Sequence, residues 1–120
     1  MAKSVNDTEP RYVAKHRFAR ISPRKVRLLA DMVRGKTAEE ALTILRFQPQ
    51  RGARFLEKVI KSAVANAEDQ DERHAERLVL REVRVDQGPS LKRLRPRARG
   101  AASIYLRRMS HITVVLAKGS

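Results

Sequence analysis

The sequence predicts an α+β domain carrying an extended arm, and three observations predict it. Apolar residues recur at helical spacing in three consecutive segments between residues 23 and 68. They follow strand-like patterns outside that block, over residues 11–20, 78–86 and 111–116. Between the last two strands lie 23 residues (88–110) without a single acid, too long for a tight hairpin turn. A chain of 120 residues suits one domain, and about a quarter of it is Leu, Ile, Val or Phe, enough for a core.

Residues 1–10 are polar and aperiodic and read as a disordered tail. In residues 11–20, Tyr12, Ala14, His16 and Phe18 alternate with Val13, Lys15, Arg17 and Ala19, which suits a short strand. Ser22-Pro23 then offers an N-cap with proline at the first helical position. Val26, Leu29, Ala30 and Val33 fall at i, i+3, i+4, i+7, and Gly35 supplies a stop. A second helix starts at the capping box Thr37-Ala-Glu-Glu40, carries Ala38, Ala41, Leu42 and Leu45 on one face, and ends by Pro49. The third helix, residues 51–68, has the stripe Leu56, Val59, Ile60, Ala63, Val64 and Ala67.

Leu78 and Leu80 share one parity while Val83 and Val85 share the other, so a bulge is expected between them. Gly88-Pro89 reads as a turn signal. The economical arrangement of the next segment is two strands running beyond the domain as an arm over residues 86–106, with its tip near residues 91–99. Such an arm cannot make a core of its own, and something anionic must hold it.

Charge narrows the class of partner. The chain carries 27 basic and 13 acidic residues, a formal charge of +14. Residues 1–36 contribute +7, residues 68–76 form an acidic cluster of −4, and residues 87–120 hold eight basic groups and no acid. A surface so strongly cationic points to a polyanion. On the third helix Arg51, Arg54, Lys58 and Lys61 form a basic ridge suited to phosphate. Arginine dominates the arm (Arg93, Arg95, Arg97, Arg99, Arg107, Arg108), and its planar fork grips phosphate at two points and stacks on bases. The aromatic residues are scattered and form no clear stacking platform, although Tyr105, among basic neighbours, could stack on a base. The residues therefore support recognition through backbone charge and shape rather than base sequence.

Other chemistries fall away. The chain has no cysteine, so disulfide scaffolds and Cys-based zinc sites are excluded. The five glycines spell neither a dinucleotide fingerprint nor a phosphate loop. His16, His74 and His111 show no metal-ligand spacing, and no cofactor is expected. His16 and His111 could form the acid–base pair of a ribonuclease, but His16 is better read as a phosphate contact and His111 as a packed or hydrogen-bonded residue. No apolar run approaches a membrane span and no signal-peptide region opens the chain, which suits a cytoplasmic protein without a membrane partner.

Three blocks then resemble a known family. AKHRFARISPRKVRLLADMVRGK (14–36) is similar to the opening of the bacterial large-subunit ribosomal protein L-twenty-two family, KSAVANAE (61–68) to its third-helix signature, and VDQGPSLKRLRPRARGAASIYLRRMSHITVVL (85–116) to its hairpin and closing strand. The match runs over about residues 12–117, leaving residues 1–11 as an extension and residues 12–120 as one domain. The resemblance implies three helices packed on a small three-stranded antiparallel sheet, with a long β-hairpin, and a structural role in place of catalysis. It implies binding to large-subunit rRNA, help in early subunit assembly, and a hairpin tip lining the nascent-peptide exit tunnel opposite ribosomal protein L-four. By position the tip is Leu91, Lys92, Arg93, Leu94, Arg95, Pro96, Arg97, Ala98, Arg99 and Gly100. Leu91 and Arg95 stand where methionines are frequent in that family.

The expected RNA contacts are Lys15, His16, Arg17, Arg20, Arg24, Lys25 and Arg27 near the first strand and helix, the ridge Arg51, Arg54, Lys58 and Lys61, and Lys92, Arg93, Arg95, Arg97, Arg99, Arg107 and Arg108 along the arm. Expected partners are rRNA, neighbouring large-subunit proteins and, transiently, the nascent peptide, with no homo-oligomer. A rival from another class is a nucleoid-associated DNA-binding protein whose basic β-arms bend the duplex.

Overall fold

A computed structural model describes residues 10–96, 100 and 102–119, with the backbone alone at 91, 93–96 and 102–106. Strand β1 (Arg11–Ala19) leads through a short turn into helices α1 (Pro23–Val33), α2 (Ala38–Arg46) and α3 (Arg51–Asp69). A 3₁₀ turn (Ala75–Arg77) then enters the long strands β2 (Val79–Pro96) and β3 (Ala102–Ala117). The sheet is antiparallel with order β1-β3-β2. The predicted α+β class and hairpin arm are therefore both found.

The helices form where the apolar spacing demanded. Val26, Leu29, Ala30 and Val33 of α1, Leu45 of α2 and Leu56 and Ile60 of α3 are buried against Leu80, Val83, Ile112, Val114 and Leu116 of the sheet. Burying a side chain such as Leu56 is worth about 1.5–3 kcal/mol. Thr37 caps α2 as expected, its Oγ1 accepting from the Glu40 N–H at 3.2 Å. Ser22 occupies the N-cap of α1 without making a side-chain cap bond.

The strands depart from the simple alternation in three places. Phe18 has φ +59° and the β1 register shifts between His16 and Ala19, so Ala19 is buried and Phe18 is half exposed. This bulge ends the alternation that placed Phe18 with Tyr12 and Ala14. The expected bulge in β2 is present between Leu80 and Glu82, and it reconciles buried Leu80 with buried Val83. Gly88-Pro89 is no turn: it is a second bulge, between Gln87 and Ser90, through which β2 continues. A Cβ at Gly88 would meet the His111 ring and the Met109 backbone at 3.3 Å, so a larger residue there would have to push the crossing strand back slightly.

β1 pairs with β3 only over Ala117 to Ser110. Beyond that point β2 and β3 run on as a two-stranded arm, paired from Ser90↔Arg108 to Pro96↔Ala102. Leu91–Pro96, the near half of the expected tip, thus lie in paired strand; Arg97, Ala98 and Arg99 fall outside the described residues, and Gly100 has φ +74°. Eighteen residues of β2 span about 59 Å at strand rise. The arm gives a radius of gyration of 17.7 Å, where a compact chain of this length has about 13.6 Å.

The outer edge of β2 is covered from α1 and the loop behind it. Arg27 Nε donates to the Val85 carbonyl at 3.1 Å and Arg34 Nη2 to the Val83 carbonyl at 2.7 Å. Gly35 N–H donates to Leu80 O, Leu80 N–H to Lys36 O, and Ala38 N–H to Leu78 O. These bonds satisfy backbone groups that an open edge would offer to another chain.

Candidate nucleic-acid interface

The bend between β1 and α1, the N-termini of α1 and α3, and the root of the arm meet around one groove of about 590 Å³. Its walls bring together Arg20 from the bend, Lys25 from α1, Arg51 from α3, and Arg107 and Arg108 from β3. Five of the expected RNA contacts, separated by up to 88 positions, thus share one surface. Among the described residues no Asp or Glu lines it.

The local chain explains why this groove is positive. Neither α1 nor α3 has an acid in its first turn, and neither Ser22 nor Gln50 supplies a side-chain cap, yet both residues line the groove. Two helix N-termini therefore bring the positive ends of their dipoles, with no first-turn acid to offset them, to the same space. α2 is the contrast, with Glu39 and Glu40 in its first turn and Thr37 as its cap. Gly52 allows the convergence, because a Cβ there would meet Leu29 Cδ1 at 3.1 Å and Ile21 Cδ1 at 3.3 Å. Arg51 is steadied by its guanidinium lying 5.4 Å from the Phe55 ring centroid. The acidic cluster, by contrast, follows the far end of α3, about 28 Å away along a 19-residue helix.

A second, smaller depression of about 170 Å³ joins Lys15 and His16 of β1 to Lys58 of α3, with Val59 and Ser62. The His16 ring packs against Phe55 at 5.4 Å, and its Nδ1 is buried without a hydrogen-bond partner. Burial, and then the Lys58 charge, hold this imidazole below its ordinary value. Phe55 thus touches a residue of each depression and spaces the two apart.

Other expected contacts stand elsewhere. Arg54 leaves the ridge for a local role. Its Nη2 donates to the Leu45 and Gln48 carbonyls at 2.6 and 2.8 Å and lies 3.0 Å from Glu57 Oε1. It closes the C-terminal end of α2, which places a cation on the negative end of that helix. Arg27 is committed in part to the Val85 carbonyl. Arg17, Arg24 and Lys61 are exposed, Arg17 standing 5.2 Å from the Phe18 ring, and Lys92 is exposed on the arm. Arg93 and Arg95 lie in β2, and Arg97 and Arg99 fall outside the described residues.

The two histidines weighed as an acid–base pair are not brought together. His16 pairs with Ile112, so His111 points to the opposite face of the sheet. There its Nδ1 accepts the Phe18 N–H at 3.0 Å, and its ring meets Phe18 edge-on at 4.9 Å. Sequence reasoning missed Leu28 and Met32, which line the groove while 71% and 42% exposed. Their signal was present: two large apolar residues at i, i+4, lying off the core stripe of α1.

Comparison with known proteins identifies the family of the chain. The family model for ribosomal protein L22p/L17e matches residues 14–117. Large ribosomal subunit protein uL22 of Caldicellulosiruptor saccharolyticus is 52% identical, over 97% of both chains. Its counterparts in Rhodopirellula baltica and Geobacter sulfurreducens are 58% and 56% identical, over 86% and 87% of this chain and 91% and 94% of theirs. Over that span and at that identity, the chain belongs to the ribosomal protein L22p/L17e family.

Proposed function

We propose that this chain binds large-subunit rRNA through phosphate and shape contacts, with the groove at the root of the arm as the anchor of its globular part. As a family member it is a structural constituent of the large ribosomal subunit and not an enzyme, associated there with rRNA and other ribosomal proteins. The observation that carries the reading is the convergence of Arg20, Lys25, Arg51, Arg107 and Arg108 with two helix N-termini that lack side-chain caps, in a groove lined by no acid among the described residues. Lys15, His16 and Lys58 offer a second contact, and the acid-free arm continues the positive surface outward.

The arm extends the reading. A two-stranded protrusion this long, with its cations between Lys92 and Arg99, suits threading through folded RNA, where phosphates on several sides replace a core. We assign to it the bridging of separate rRNA segments in early assembly. Its end, residues 91–100, lines the exit tunnel opposite ribosomal protein L-four and touches the nascent peptide in passing. Arg11 already pairs with Ala117 in β1, so the domain takes in residue 11 of the expected 1–11 extension, and residues 1–9 lie outside the described residues.

Binding of the full chain to large-subunit rRNA fragments, titrated across salt, tests the central claim. With six to ten phosphates contacted, affinity should fall by about 10³–10⁵ between 50 and 200 mM salt. A flat salt response overturns it. For the tip, photo-cross-linking from position 94 in assembled particles should capture the nascent chain, and capture of rRNA alone would refute the tunnel assignment.

A further inference from the structure

The groove holds apolar side chains beside its cations, and these bear on the kind of RNA that fits it. Leu28 and Met32, one helical turn apart on α1, face the same space as Lys25 and Arg51, and Ile21 and Leu29 continue the apolar wall. Duplex phosphates give two exposed apolar side chains nothing to pack on, and a duplex keeps the flat faces of its bases stacked inside. An unpaired nucleotide has both parts: a phosphate for the cations and a flat apolar face for Leu28 and Met32. The groove, at about 590 Å³, is in the size range of sites for one small ligand.

We infer that this groove takes an unpaired, unstacked nucleotide of single-stranded RNA, its base packed on Leu28 and Met32 and its phosphates held by Arg51, Lys25 and the arm-root arginines. The inference rests on the reading of the chain as an RNA binder and names which form of RNA the anchor selects. The base is read by shape and apolar contact, so no base identity is specified. Arg51, its guanidinium 5.4 Å from the Phe55 ring centroid, also lines the groove, and a guanidinium can stack on a base as well as bind phosphate. An acidic peptide helix is the competing occupant, and the geometry disfavours it. Such a helix needs anchors at i, i+3, i+4 and i+7, and the exposed apolar part of the groove offers two side chains.

The experiment uses the full chain, a 12-nucleotide oligouridylate and a 12-base-pair RNA duplex, each titrated at two salt concentrations. L28Q/M32Q should weaken oligouridylate binding by about 10- to 100-fold, from lost apolar burial, with an unchanged salt slope. Duplex binding should stay as in the parent. Leu28 and Met32 are outside the buried core cluster, and an unchanged melting curve confirms the fold of the variant. In the parent complex, nuclear Overhauser contacts should join uracil H5 and H6 to the Leu28 and Met32 methyls. Equal loss for both probes, no loss for either, or absence of those contacts overturns the inference while leaving RNA binding intact. Displacement of oligouridylate by an acidic amphipathic peptide that itself contacts these methyls overturns it in favour of a protein partner. Failure of the parent chain to bind either probe overturns the wider reading as well.

Discussion

The Ser110 hydroxyl, fully buried in β3, donates to the carbonyl of Ile21 at 2.6 Å across 89 positions of sequence. It does so at the last β1–β3 pair, Ala19↔Ser110, where the sheet gives way to the arm. One bond therefore ties the root of the hairpin to the turn that launches α1, and both flank the cationic groove.

Ser110→Ala should lower stability by about 1–3 kcal/mol, because the Ile21 carbonyl loses its donor in a buried site. Denaturant unfolding followed by circular dichroism measures it. An unchanged midpoint would show that the bond is dispensable.

Arg54→Ala should destabilise the chain by about 1–2 kcal/mol through the exposed carbonyls at the end of α2, a charge-assisted loss. The guanidinium reaches the Leu45 and Gln48 carbonyls together, so Arg54→Lys should restore only part of the loss. Thermal melts of the three proteins separate these outcomes. Equal stability of parent and alanine variant would show that these bonds are dispensable and return Arg54 to the expected RNA contacts.

His16 gives a pH dependence with a definite sign. Its imidazole is held below the ordinary 6.5 by burial and by Lys58, so folding favours the neutral form. The unfolded chain binds the proton more readily. Its contribution to stability is therefore complete above about pH 6.5 and declines as pH falls through the lower folded value. His16→Gln should flatten that acidic limb in denaturant titrations between pH 7 and 5. Bound phosphate should act in the opposite direction, raising the His16 value in the RNA complex, which an NMR titration of the ring reads directly. Identical acidic limbs in the two proteins would rule the residue out.

Replacing residues 92–106 by Asn-Gly, which joins the paired Leu91 and Arg107, should leave a cooperative melt close to the parent's. Among the described residues no member of the core cluster lies between Val85 and Ile112. The same truncation should reduce the salt slope of rRNA binding by about 0.7–0.9 for each phosphate the arm no longer neutralises. Loss of cooperative unfolding would mean that the arm supports the domain.

The chain order of elements, the three core stripes and the acid-free arm were legible in the residues because each depends on local periodicity or local composition. Val26, Leu29, Ala30 and Val33 point one way on any helix, and a bulge between Leu80 and Val83 follows from parity alone. The same local logic failed at Gly88-Pro89, where a turn signal became a bulge because β3 supplied a partner strand on the far side. It failed at Phe18 because a left-handed residue resets the strand face without a glycine to announce it.

By itself the sequence determined which segments form the helices and strands, and that the molecule carries an unbalanced charge of +14 with no acid over residues 87–120. Only the tertiary structure decided which cations lie together. It drew Arg20, Lys25, Arg51, Arg107 and Arg108 into one groove and set Arg54 to close a helix end. It also left Leu28 and Met32 uncovered beside those charges. The physical reason is that charge and apolarity are properties of residues, whereas a binding site is a property of distances, and distances between remote residues are fixed by packing.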